Sequence, residues 1–241
     1  MAKKAKRSPK GASGKRAGRR SWRRWLRRGI LILCAVVLLI VGAPAFLNPP
    51  TTPYMAAEAR RLGGVDHAWA PLEDIAPAMA RSVVAAEDAN FCLHWGFDMA
   101  AIRAALEDGA ARGASTISQQ VVKNVFLWQG RSWPRKALEA LLTPLVELLW
   151  SKERIVEVYL NVAEFDEGVF GVRAAALHYF GVAAADLSPT QAARLAAILP
   201  DPKGRSASRP SDFVRRRTAA IMDGAATIDA DGRAACFQRD G

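Results

Sequence analysis

From Gly29 to Leu47 the chain reads GILILCAVVLLIVGAPAFL, nineteen residues without a charge. At about 1.5 Å rise per residue this run nearly matches a hydrocarbon core of roughly 30 Å, so it predicts one membrane-spanning helix. Residues 48–76 are punctuated by Pro49, Pro50, Pro53, Gly63, Gly64 and Pro71, with Pro77 just beyond. That punctuation predicts a connector holding one short helix near Tyr54 to Leu62. From residue 77 onward apolar positions recur at helical spacing and two-residue alternation is hard to find, so the outer part is expected to be mainly α. Ser132 with Pro134 opens a helix running to about Trp150. Ser188-Pro189-Thr190-Gln191 carries a capping serine, an early proline and a third-position glutamine for a helix through Leu199. A last helix is expected near Phe213 to Ile221, and there are no internal repeats. The expected organisation is therefore a tail (1–28), a span (29–47), a connector (48–76), a folded domain (77–225) and a C-terminal tail (226–241).

Charge sharpens this division. The chain has 241 residues and a formal charge of +11, yet residues 1–28 hold 13 of the 34 Lys and Arg and none of the 23 acids. The rest carries 21 basic against 23 acidic side chains, a balance of −2, so the basic pI describes the tail. A uniformly basic nucleic-acid-binding domain is disfavoured, because its positive patch belongs on the folded part. An apolar fraction of 51% excludes disorder throughout. Positive charge directly before the span places the N-terminus in the cytoplasm and sends the larger part across, with Trp22 and Trp25 suited to the near interface. Ala43-Pro44-Ala45 has the small-x-small form of a cleavage site, so a cleaved signal peptide is the competing reading. The long charged region and the placement of Pro44 favour a retained anchor. Cys34 lies in the span. Cys92 and Cys236 are permitted to pair in an oxidising compartment, but sequence does not establish their proximity, and both are read as incidental. His67, His94 and His178 show no metal-ligand spacing.

The chain lacks a G-x-S-x-G elbow, an S-x-x-K set, a Walker loop and a dinucleotide fingerprint. What remains is polar residues set in apolar helical sequence. Glu87-Asp88 follows Ser82-Val83-Val84-Ala85-Ala86 and precedes Asn90, Phe91, His94 and Trp95-Gly96-Phe97-Asp98. Such acids at a helix end ordinarily face water, but the aromatic residues after them are placed to bury one and raise its pKa toward that of a useful general base. Gly113-Ala114-Ser115-Thr116-Ile117-Ser118-Gln119-Gln120, then Lys123 and Asn124, reads either as a capped amphipathic helix or as a ligand-approaching segment, with Gln119 and Lys123 on one face. Arg131, Arg135, Lys136 and Glu139 follow. Alone, Arg135 and Glu139 read as a surface ion pair worth tenths of a kcal/mol. Together, two candidate carboxylates and several cations suit sugar transfer from a phosphate-linked donor.

EDANFCLHWGFD (87–98), GASTISQQVVKN (113–124), RSWPRKALEALL (131–142), KERIVEVYLNVAEF (152–165) and GVFGVRAAALHYFG (168–181) resemble, in order, the motifs of the peptidoglycan glycosyltransferases. The resemblance covers about 80–200 and implies a lysozyme-like, mainly α domain behind one N-terminal transmembrane helix, the membrane-anchored form without a transpeptidase domain. It implies polymerisation of lipid II into β-1,4-linked glycan by inverting transfer, with release of undecaprenyl diphosphate. Glu87 matches the family's catalytic glutamate, which takes the proton of the acceptor's 4-hydroxyl. Glu139 matches a second essential glutamate, whose implied role is to orient cations, hold a divalent ion or assist the leaving diphosphate. Lys123 and Arg131 match diphosphate contacts, and Ser115, Gln119 and Gln120 a cleft-lining motif, with Asp88, Asn124, Arg135 and Lys136 as further substrate-binding positions. Ala114 and Ser118 replace the family's usual glycine and threonine, and neither change removes a charge. No cofactor is obligatory, Mg²⁺ or Mn²⁺ being optional, and no metal ligand set is assigned. The implied partners are lipid II, the lipid-linked growing glycan, the membrane and other wall-synthesis or division proteins, without nucleic acid. The implied place is the bacterial inner membrane, single-pass, with the catalytic domain periplasmic. A lytic transglycosylase or muramidase that cuts glycan, and a non-catalytic membrane scaffold, are the competing classes. Lys123 and Arg131 disfavour cutting, because neutral glycan offers them no phosphate.

Overall fold

The structure is a computed structural model that describes residues 14–107, 109, 115–130 and 132–238. It divides into two units, one up to Ile40 and one from Val41 onward. The first is built on α1 (Gly14–Gly42), a 29-residue helix. Within it and the short 3-10 turn that follows, Trp22–Ala45 is long and apolar enough to cross a membrane, and Leu31, Leu33 and Leu39 are exposed. The helix starts inside the stretch expected as a tail, because arginine is a good helix former. It stops short of Leu47, where the ring of Pro44 removes a backbone donor within the turn Ala43–Ala45.

The second unit is mainly helical. Thr52 caps α2 (Pro53–Leu62) by accepting from the Met55 amide, and Gly63, at φ +79°, ends it. Next come β1 (Asp66–His67), α3 (Pro77–Glu87), α4 (Met99–Glu107), α5 (Ile117–Phe126), α6 (Trp133–Leu149) and α7 (Lys152–Val162). Strands β2 (Glu164–Asp166) and β3 (Val169–Phe170) precede α8 (Val172–Phe180), α9 (Pro189–Ile198) and α10 (Asp212–Ala230). The strands form one sheet of order β1-β3-β2, with β1 parallel and β2 antiparallel to β3. Strands of two or three residues leave no alternation to read in the sequence.

Two helical layers hold the core. In one, α3 packs on α9 and α10: Met79, Val83 and Val84 are buried, and Ala192, Ala193, Ala196 and Ala197 give α9 a smooth face for close approach. In the other, α5 packs on α6 and α7, burying Ile117, Val121 and Val122 with Ile155, Val158 and Leu160. Fully burying a side chain of this size stabilises by about 1.5–3 kcal/mol. The connector residues belong to this unit: the Asn161 side chain bonds both the amide and the carbonyl of Ala70, at 2.7 and 2.8 Å, and the Ala76 amide reaches the Ala184 carbonyl. At the other end α10 runs on to Ala230, and Phe237 beyond it is buried. Cys92 and Cys236, expected to be incidental, form a disulfide across 144 residues. Only the return of the chain after α10 brings them together, and no local pattern records that return.

Candidate active site

The site is built where α3 ends. Asp88 stops the helix, and its carboxylate accepts from the Ile117 amide at 3.0 Å and meets His94 Nε2 at 2.8 Å. One oxygen thus satisfies a free amide in the first turn of α5. Both oxygens are committed inside the fold, so Asp88 ties the end of α3 to the start of α5. A capping box of Thr116 and Gln119 completes that start, and the Thr116 hydroxyl donates to the Gly96 carbonyl at 2.7 Å. Gly96 sits at φ +82°, and a Cβ there would meet Thr143 Cγ2 at 2.6 Å.

This docking sets the face that α5 offers to Glu87. Gln120 Nε2 donates to Glu87 Oε2 at 2.9 Å, while the Tyr159 hydroxyl donates to Gln120 Oε1 at 3.3 Å and so fixes the amide's orientation. Gln119, expected to share the working face with Lys123, is spent on the capping box; Gln120, three residues before Lys123, takes that face instead. Burial pushes the Glu87 carboxyl above the ordinary carboxylate range, opposed by the Gln120 bond and the positive charges of Arg217 and Lys123. Burial likewise pulls the Lys123 ammonium below the ordinary lysine range, with Glu139 and Glu87 acting against it. Arg217, on α10, brings Nη2 to 3.8 Å from Glu87 Oε1 and donates to the Ala86 carbonyl at 3.3 Å.

The cations come from α6, which Ser132 caps at the Arg135 amide. Arg135 donates from Nη1 to Glu139 Oε2 at 2.6 Å and from Nε to the Gly130 carbonyl at 2.8 Å. Lys136 pairs with Glu139 Oε1 and reaches Ser115 Oγ at 3.3 Å. Arg135 and Glu139 are 9% and 3% exposed, so the expected surface ion pair is a buried one, shielded by the packing of α5 on α6. Lys123 of α5 feels Glu139, Arg135 and Lys136 on one side and Glu87 on the other, and so links this cluster to the carboxylate. A divalent ion at Glu139 would have to displace Arg135 and Lys136, so the residues present do not fit a metal there. Asn124 is buried and accepts from Gln129 at 3.1 Å. Arg131, with Gly113 and Ala114, lies outside the described residues.

A hollow of about 410 Å³ adjoins Glu87, lined also by Asn90, Asp98, Ser115 and Thr116. A second, of about 300 Å³, opens at Ser132, Trp133, Arg135 and Lys136. Hollows of about 600 and 590 Å³ lie elsewhere and are lined neither by Glu87 nor by the α6 cations, so size does not mark the site. Sequence reasoning missed Arg217, Tyr159 and a buried group in which Glu147 bonds Ser118 and pairs with Lys152 at 2.9 Å. Arg217 is one of three successive arginines, and nothing local tells which points inward.

The Transglycosylase family model matches residues 55–226. The chain is 61% identical over 237 residues to the biosynthetic peptidoglycan transglycosylase of Jannaschia sp. (strain CCS1), covering 98% of this chain and 99% of that protein. It is 46% identical to the protein of the same name from Caulobacter vibrioides, over 89% of this chain and 97% of that one. A protein of that name from Xanthomonas campestris pv. campestris is 47% identical over 90% of this chain and 92% of its own length. A helical domain with a largely buried carboxylate linked through a lysine to further cations is thus of a kind with enzymes that transfer sugars. The chain belongs to the Transglycosylase family.

Proposed function

We propose that this peptidoglycan glycosyltransferase polymerises lipid II, adding the lipid-linked strand as donor to the 4-hydroxyl of the acceptor's N-acetylglucosamine. Glu87 removes the hydroxyl proton as the oxygen attacks the donor's anomeric carbon from the face opposite the diphosphate. The bond to the diphosphate breaks, the new β-1,4 bond forms with inversion, and undecaprenyl diphosphate leaves. Lys123, Arg135 and Lys136 receive its charge, joined by Arg131 through the family resemblance. Ser115 and Gln120 shape the cleft, Gln119 and Asn124 support it from within α5, and Glu139 holds Arg135 and Lys136 in place. Asp88 acts by positioning α5 and not by touching substrate. The apolar helix α1 anchors the enzyme with its N-terminus in the cytoplasm and the catalytic domain on the periplasmic side of the inner membrane, where other wall-synthesis proteins work.

One observation carries this reading: α5 turns to Glu87 the face that bears Gln120, which donates to Glu87 Oε2 at 2.9 Å, and Lys123, which acts on Glu87 electrostatically. Burial gives the carboxylate the basicity that an ordinary glutamate lacks near neutrality, and the cations answer a phosphate-linked leaving group that a glycan-cutting enzyme does not have. Labelled lipid II incubated with the detergent-solubilised chain tests it. Polymer is expected, and a phosphoglycolipid that mimics the donor should suppress it. Release of sugars from purified sacculi with no consumption of lipid II would overturn the proposal.

A further inference from the structure

The segment after α10 returns across the fold to the turn that follows Glu87 and grips it at three points. Cys236 is bonded to Cys92. Arg233 Nη1 donates to the Ala89 carbonyl at 3.0 Å. The Phe237 ring lies 6.3 Å from that of Phe91. The same segment is fastened at its far end, where Gln238 accepts from Arg81 at 3.0 Å and donates to the Pro77 carbonyl at 2.8 Å on α3.

What is gripped leads directly to the site. The Phe91 amide donates to the Asp88 carbonyl at 3.0 Å, and the Phe91 ring meets His94 edge-on and sits under the Lys152 ammonium at 4.2 Å. His94 in turn holds Asp88, and Asp88 holds the first turn of α5, which carries Gln120 and Lys123. We infer that residues 231–238, locked by the Cys92–Cys236 disulfide, are a positioning element for Glu87 and α5, so that glycosyl transfer requires the oxidised chain. The inference rests on the proposed function for its activity readout.

Forming the bond takes a two-electron oxidant, here named as one that is itself a disulfide. One cysteine thiolate attacks that disulfide to give a mixed disulfide. The second thiolate then attacks the sulfur already joined to this chain, and the oxidant leaves as its dithiol. Two electrons pass from the two cysteines to the oxidant, with the two protons. A partner of the thiol–disulfide exchange class on the periplasmic side is therefore part of the enzyme's maturation.

The test compares the full-length chain, oxidised and after reduction with dithiothreitol and alkylation, with Cys236→Ser and Arg233→Ala. For the reduced chain and Cys236→Ser the expected results are a fall in kcat of about tenfold or more at little-changed KM, and faster hydrogen exchange of amides 88–96. Dithiothreitol should leave Cys236→Ser unchanged. Arg233→Ala keeps the disulfide, so it decides the matter if the reduced chain unfolds: a severalfold loss of kcat in a folded protein is expected. Full kcat in Arg233→Ala and in reduced, folded enzyme overturns the inference. If the oxidised wild type makes no polymer, the proposed function fails instead. The exchange of amides 88–96 then carries the inference, and unchanged protection on reduction overturns it.

Discussion

At Glu87 stability and the proposed chemistry pull in opposite directions. The folded state holds its proton to higher pH than the unfolded chain does, because burial outweighs Gln120, Arg217 and Lys123. Folding therefore loses stability as pH rises through the raised value, and the loss is absent below the ordinary carboxylate value of 4.5. Glu87→Gln should remove both the base and this cost. Polymerisation is expected to fall by about 10² to 10⁴, while the melting temperature rises at pH 7 and not at pH 4; near-normal polymerisation would sink the assignment. Lys123 is displaced the other way, below 10.5, so the pH–rate profile should be a bell with both limbs pulled inward from those two ordinary values. Arg217→Gln takes away a positive charge that holds Glu87 down, so its acid limb should move to higher pH, and Arg217→Lys should restore it. Much of this was legible in advance: Glu87-Asp88 stood out as acids closing an apolar run. That Asp88 turns inward was not, because its partners lie at His94 and at the Ile117 amide, and only the folded chain gathers them.

Among the elements, those whose signals are local were legible. Ser132 and Ser188 do cap α6 and α9, with Pro134 and Pro189 in their first turns, because a cap needs only the three residues after it. The small sheet and the extension of α10 to Ala230 depend on contacts with distant residues and left no such mark. The same holds for Lys152, which reads as an ordinary early-helix charge yet bridges elements. Its ammonium pairs with Glu147 of α6, donates to the His94 carbonyl and lies over Phe91. Glu147 is 7% exposed and also bonds Ser118 of α5. Lys152→Met would leave that carboxylate buried and unpaired, a loss of about 3–5 kcal/mol. Adding Glu147→Leu should recover a large part of it, and chemical denaturation of the single and double variants measures both. Equal stability of Lys152→Met and wild type would show that Glu147 has another partner.

For the whole molecule the deciding contrast is between a positively charged tail on an apolar helix and an outer unit with a charge balance of −2. An apolar helix long enough to span was legible, though not its bounds, since such a helix satisfies its own backbone and needs only length and apolarity. Its contribution follows from where the substrates are. In the proposed reaction donor and acceptor both carry a polyprenyl chain and are confined to the bilayer, so an anchored enzyme would meet them on that surface at an effective concentration which a freely diffusing domain does not reach. The proposed chemistry draws on groups outside the first unit, because Glu87, Lys123, Arg135 and Lys136 all belong to the unit that begins at Val41. A chain starting at Val41 should then keep its kcat within about twofold on a short-chain, water-dispersed lipid II analogue, since every proposed catalytic group is retained. On vesicles carrying full-length lipid II the anchored chain should be faster by about 10² or more. Equal rates on vesicles would mean that the outer unit finds the membrane unaided, and a loss of kcat on the dispersed analogue would make α1 part of the catalytic machinery.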